Sequence, residues 1–144
     1  MSPRGIPGWP AWLAVAVGGF LGTELRYGLG LMFPDQPDDI PWATLVINVL
    51  GSFVLAALTT VWMARPRTAF WLRAGLGPGV LGSFTTFSAV VFAVDQLARA
   101  GQHLVWLAYL GLSLLLGLLA AAAGWRLGKI LTRGPVGVPT VERP

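Results

Sequence analysis

The chain is 144 residues long, with 55% apolar residues, 11% charged residues, seven tryptophans and a mean hydropathy of +0.69. These values exclude an ordinary water-soluble domain and indicate an all-α integral membrane protein built as one compact bundle. The absence of cysteine excludes disulfides, thiolate metal sites and Cys nucleophiles. The net charge of +4 lies at the ends of apolar segments, so it does not indicate nucleic-acid binding.

The first apolar segment, residues 12–33, predicts a membrane-spanning helix. Gly18 and Gly22 lie one turn apart and form a small-residue face on which another backbone can pack closely. Glu24 and Arg26 interrupt the segment towards its far end. Glu24 is either an interfacial residue or a functional intramembrane carboxylate. Arg26 could pair with a carboxylate, cap a carbonyl or hold an anion, and the sequence leaves these alternatives open.

Residues 42–64 predict the second helix, which follows an acidic and proline-rich loop. Thr44, Asn48 and Ser52 recur every four residues, so they share one face and form a polar stripe along the helix. A single Asn in such a helix usually ties two helices together. Three polar residues in register instead favour a wall exposed to water or to an ion.

The third segment, residues 70–97, has helix-weakening residues in its middle and predicts a broken membrane helix. The weakening residues are Gly75, Gly77, Pro78, Gly79 and Gly82, and hydroxyl side chains follow at Ser83, Thr85, Thr86 and Ser88. Irregular backbone is tolerated at membrane depth only where it is buried in protein or lines a wet cavity. Such breaks often mark ion or substrate sites.

The fourth helix is predicted at residues 104–127, with Tyr109 and Ser113 on one face. Residues 1–127 therefore form the predicted four-helix transmembrane domain. The basic tail at 128–144 is predicted to be disordered. Most Lys and Arg residues flank the termini and the loop between the second and third helices, so both termini are predicted to be cytoplasmic.

These residues argue against catalysis, because one His and no Cys leave no plausible nucleophile, base and acid set. Amide and hydroxyl donors with aromatic ring edges suit a small anion. Backbone carbonyls freed by a helix break would instead coordinate a small cation such as Na+. The main alternative is a small four-helix proton-coupled multidrug-type exporter that uses Glu24, and a third possibility is a non-transporting membrane partner.

Three blocks of sequence together resemble the Fluc (CrcB) family of fluoride ion channels. They are GGFLGTELRY at 18–27, TLVINVLGSF at 44–53 and GVLGSFTTFS at 79–88. The resemblance implies four-helix subunits, with a break in the third helix, that pair as an antiparallel dimer in the cell inner (plasma) membrane. It also implies passive export of cytoplasmic fluoride, which gives fluoride resistance, and a structural Na+ at the dimer centre.

The resemblance also implies roles for individual residues. The implied fluoride pathway residues are Asn48, Phe87, Thr44, Ser88, Tyr109 and Ser113. Arg26 matches a vestibule arginine of the family. Gly82 and Thr85 match positions whose backbone carbonyls coordinate the structural Na+.

Two departures from the family pattern bear on assembly. The second phenylalanine of the family's pore-lining pair is replaced by Val90, and a glutamate of its third helix is replaced by Ala93. The strong charge bias towards one side also disfavours insertion in both orientations. These features favour a subunit of fixed orientation whose partner is a related chain inserted the other way, while pairing with a second copy stays open.

Overall fold

The structure, a computed structural model, describes residues 7–34 and 40–133, and all regular secondary structure in these ranges is helical. The long helices are α1 (Trp9–Met32), α2 (Trp42–Ala64) and α6 (His103–Thr132). Between α2 and α6 lies an interrupted segment of α3 (Phe70–Ala74), a π-helical stretch (Gly75–Leu81), α4 (Gly82–Phe84) and α5 (Phe87–Arg99). Helix α2 has the bounds that the sequence predicts for the second helix, residues 42–64.

Helix α1 packs against the first half of the interrupted segment, at the glycine face that the sequence predicts. A Cβ atom added at Gly18 would collide with the carbonyl oxygen of Gly75, and one added at Gly22 would collide with that of Val80. Only glycine allows two backbones to approach this closely. The predicted close-packing role of Gly18 and Gly22 is therefore confirmed.

Helices α2 and α6 lie side by side and run in the same direction. A Cβ atom added at Gly124 would collide with the carbonyl oxygen of Phe53, and one at Gly128 would come within 2.6 Å of the Thr60 Cβ. Gly128 is therefore a packing position and not a helix end. The predicted end of this helix at residue 127 is wrong, because α6 continues to Thr132. Of the predicted tail, residues 134–144 lie outside the described residues.

The interruption of the third segment lies within the stretch that the sequence predicts to be broken, after its glycine and proline residues. The glycine and proline residues stay helical, with Pro78 inside the π-helical stretch, where a wider turn accommodates a residue that lacks an N–H donor. The backbone becomes extended at Thr85 (ψ 153°) and Thr86 (φ −153°). Threonine favours extended backbone because its Cβ is branched. We call Thr85 and Thr86 the helix break.

Among the described residues, three helical stretches are long and apolar enough to cross a membrane, namely Trp42–Ala64, Phe70–Arg99 and His103–Thr132. Helix α1 has a comparable length of 24 residues but carries Glu24 and Arg26. Four spans therefore stay a prediction. Large apolar side chains are exposed along every long helix, as expected of surfaces that face lipid or another subunit.

Candidate ion-binding site at the helix break

Asn48 of α2 forms two hydrogen bonds with the backbone of Thr86 in the helix break. The Nδ2 group of Asn48 donates to the carbonyl oxygen of Thr86 at 2.9 Å, and the backbone N–H of Thr86 donates to Asn48 Oδ1 at 2.8 Å. The side-chain amide thus bonds the backbone as a neighbouring peptide group would. It also leaves one N–H of the Asn48 amide available for another acceptor.

The two threonines of the break use their hydroxyl groups locally. Thr86 Oγ1 accepts a hydrogen bond from the Ala89 N–H at 3.2 Å, which caps the N-terminus of α5, and it lies 3.0 Å from Ser88 Oγ. Thr85 Oγ1 donates to the Leu81 carbonyl oxygen at 2.8 Å. A Cβ atom added at Gly51 would collide with the Thr85 methyl group, so the break is seated directly against α2.

A groove of about 360 Å³ lies beside the break, between α2 and α6, and we call it the anion groove. Its lining residues are Asn48, Ser52, Thr85, Thr86, Phe87, Val90, Ser113, Leu114, Gly117, Leu118 and Ala121. The walls are apolar, and the polar groups gather near the break. No lining residue carries a charge, so any ion in this groove is bound by neutral dipoles.

The hydrogen-bond donors that remain available in the anion groove favour an anion. Asn48 keeps one N–H, and the Ser113 Oγ is buried and has no hydrogen-bond partner among the described residues. Ser52 also lines the groove and adds a hydroxyl group that can donate. Buried donors without acceptors are costly, so an anion that accepts from them stabilises this arrangement.

The structure brings together three of the six predicted pathway residues. Asn48, Phe87 and Ser113 line the anion groove. Thr44 lies half-buried one turn before Asn48 on α2, and Tyr109 lies fully buried one turn before Ser113 on α6. Ser88 is exposed in the first turn of α5. The pathway roles of all six residues stay predictions.

The two charged residues of α1 do not line the anion groove. Arg26 is half-buried and Glu24 is exposed. The vestibule role of Arg26 stays a prediction.

Val90, which the resemblance matches to a second pore phenylalanine, is 2% exposed and packs with Leu45, Ala93 and Tyr109 where α2, α5 and α6 meet. Phe87 and Phe92 are each 64% exposed, and only Phe87 lines the groove. Phe92 therefore contributes no ring to this groove.

A second groove of about 290 Å³ lies on the side of the break that faces the second half of α2, and we call it the cation groove. Its lining residues are Leu55, Trp62, Gly77, Pro78, Leu81, Gly82 and Thr85. Gly82 and Thr85, the residues predicted to hold Na+, thus share one groove. The described residues contain no group of three or more His, Cys, Asp or Glu side chains that could hold a metal. Neutral backbone carbonyls are ligands that suit Na+, and the Na+ roles of Gly82 and Thr85 stay predictions.

Sequence reasoning did not include Ser52 or Thr86 among the site residues. Ser52 belongs to the predicted polar stripe of α2, so the sequence contained the signal that identifies it as a site residue. Thr86 precedes an apolar helix and caps it, which is a recognised signal for a helix start. The bond between Asn48 and Thr86 joins residues 38 positions apart, and no local pattern indicates such a contact.

A neutral, donor-lined groove at a helix break in a small helical membrane protein is typical of ion-conducting membrane proteins. Comparison with known proteins identifies the family. The family model described as CrcB-like protein, Camphor Resistance (CrcB), matches residues 13–125. The chain belongs to this family of fluoride ion channels, which are not enzymes.

Similar proteins named as fluoride-specific ion channels cover most of the chain. FluC of Thermus thermophilus is 42% identical over 121 residues, which are 83% of this chain and 94% of the relative. FluC 2 of Geobacillus kaustophilus is 38% identical over 115 residues, covering 79% and 89% of the two chains. FluC 2 of Nocardia farcinica is 38% identical over 125 residues, covering 87% and 86%.

Proposed function

We propose that this chain is a subunit of a fluoride-selective channel through which cytoplasmic fluoride leaves the cell passively across the inner (plasma) membrane, giving fluoride resistance. The anion groove is the observation that carries this proposal, because its free donors converge near the break without a carboxylate among them. Fluoride sheds part of its hydration onto the Asn48 amide, the Ser113 hydroxyl and the edge of the Phe87 ring.

The proposal includes a structural Na+ bound in the cation groove by the carbonyls of Gly82 and Thr85. Carbonyl oxygens are hard, neutral ligands, so they fit a monovalent cation. The positive charge that Na+ supplies close to the break offsets the cost of holding an anion in the neighbouring groove.

The functional unit that we propose is an antiparallel dimer, with a related chain of opposite orientation favoured over a second copy. Both grooves are open at the surface of the subunit, as they would be if a partner completed them. Most of the described Lys and Arg residues lie at the end of the bundle where α2 and α6 end. They are Arg65, Arg67, Arg73, Arg126, Lys129 and Arg133. At the opposite end Arg99 is paired with Asp95 at 2.8 Å, and Arg26 lies near that end. This asymmetry favours a single orientation with both termini in the cytoplasm.

Fluoride efflux from liposomes that contain the purified chain tests this function. We expect efflux of fluoride and not of chloride, measured with ion-selective electrodes, from this chain alone or after addition of a related chain of opposite orientation. Glu24→Gln should leave the efflux rate within about twofold of wild type, because Glu24 lies outside both grooves. Loss of transport in Glu24→Gln, or no fluoride efflux in either preparation, would contradict the proposal.

Single-cysteine labelling tests the fixed orientation, since the chain has no native cysteine. Ala100→Cys and Ala69→Cys place thiols at exposed positions at opposite ends of the interrupted segment. A membrane-impermeant maleimide added to intact spheroplasts should label Ala100→Cys, and it should label Ala69→Cys only after the membrane is permeabilised. Labelling of both positions to similar extents in intact spheroplasts would show dual insertion and favour a homodimer.

A further inference from the structure

The backbone N–H of Thr86 is diverted from the acceptor that a continuous helix would give it. In an α-helix each N–H donates to the carbonyl four residues earlier, which for Thr86 is that of Gly82. Here this N–H donates to Asn48 Oδ1 at 2.8 Å. The Gly82 carbonyl thus does not receive the Thr86 N–H, because the Asn48 side chain of α2 accepts from that N–H instead.

The same exchange occurs three residues later. The Ala89 N–H would donate to the Thr85 carbonyl in a continuous helix. It donates instead to Thr86 Oγ1 at 3.2 Å. The two side chains that bond these N–H groups, from Asn48 and Thr86, therefore release the carbonyls of the two residues that share the cation groove.

We propose that Asn48 and Thr86 are positioning residues for a cation: they bond the two N–H groups so that the carbonyls of Gly82 and Thr85 are free to bind Na+. The inference rests on the Na+ site in the proposed function and adds the residues that create it. Carbonyls without a donor are costly away from water, and a cation bound to them removes that cost. Neither Asn48 nor the Thr86 side chain needs to touch the ion.

The arrangement also links the two grooves through one side chain. The Asn48 amide lines the anion groove. Its Oδ1 accepts from the Thr86 N–H, which would donate to the Gly82 carbonyl in a continuous helix. Movement of this amide towards an anion would therefore change the backbone of the cation groove. Na+ binding should in turn hold the remaining Asn48 N–H in place.

The test measures the melting temperature of the assembled dimer, formed by this chain alone or with the related chain of opposite orientation, in NaCl and in N-methyl-D-glucamine chloride at equal ionic strength. Wild type should melt roughly 4 °C higher in Na+ when its concentration is about ten times the dissociation constant. Asn48→Ala and Thr86→Val should lose at least half of this shift. Thr86→Ser should keep it, because serine retains the capping hydroxyl. Thr60→Val is the matched control, since the Thr60 hydroxyl bonds its own helix at Ala56.

Hydrogen exchange of the peptide that covers residues 84–90 provides a second measurement, and it should speed up in Asn48→Ala and Thr86→Val but not in Thr60→Val. Thr86→Val decides the case in which Asn48→Ala does not fold, because it removes the bond to the Ala89 N–H and leaves the Asn48 amide unchanged.

Two results would overturn the inference: no Na+ shift in wild type, or a full shift retained in both variants with unchanged exchange. Neither measurement depends on fluoride transport. A Na+ shift that the variants lose, in a protein that does not conduct fluoride, would refute the proposed function and leave this inference standing.

Discussion

Replacing Asn48 by Leu should reduce fluoride efflux from liposomes by about 10–100-fold, because a hydrogen bond to a charged group contributes about 1.5–3 kcal/mol. Leucine has a similar shape and removes both the free donor of the anion groove and the two bonds to Thr86. Efflux is measured per reconstituted subunit, after gel filtration has shown that the variant keeps its assembly state.

Two comparisons separate the roles of Asn48 in this experiment. Ser113→Ala removes a groove donor that has no bond to the break, so it should reduce efflux without faster exchange at residues 84–90. Thr59→Val alters an exposed residue of α2 outside both grooves and should leave efflux unchanged. Efflux of Asn48→Leu within about twofold of wild type would show that neither role of the amide limits conduction.

Periodicity and apolar length were sufficient to predict the helices and the polar stripe of α2. Both properties are local, since helix formation and side-chain facing depend on residues three or four apart. The bounds of α2 and the close-packing role of Gly18 and Gly22 follow from such patterns. Three members of the predicted pathway meet at one groove because Asn48 and Ser113 occupy facing stripes of two neighbouring helices.

Helix propensity alone could not place the break within the predicted broken stretch, because tertiary contacts decide its position. The residues around Pro78 have low helix propensity, yet packing against α1 keeps them helical. The chain becomes extended where Asn48 supplies a replacement partner for the backbone of Thr86. The same reasoning explains the misplaced end of α6, since Gly128 looks like a terminator until its contact with Thr60 is known.

Gly22→Ala should strongly destabilise the protein. The new methyl group would collide with the Val80 carbonyl oxygen, and backbone atoms of the π-helical stretch cannot move aside as a flexible side chain would. Overpacking of this kind costs about 1–3 kcal/mol, and a clash with backbone belongs at the upper end of that range. Thermal melting and gel filtration should show a lower melting temperature and a larger aggregated fraction.

Gly28→Ala is the matched control for this prediction, because it makes the same substitution in the same helix where no atom lies within 4 Å of the added Cβ. Alanine favours helix over glycine by about 1 kcal/mol, so the control should be neutral or slightly stabilising. Opposite signs for the two substitutions would establish that packing of α1 on the segment before the break, and not helix propensity, requires Gly22. Equal effects would contradict this packing, and with it the explanation of why the chain around Pro78 stays helical and the break forms at Thr85 and Thr86.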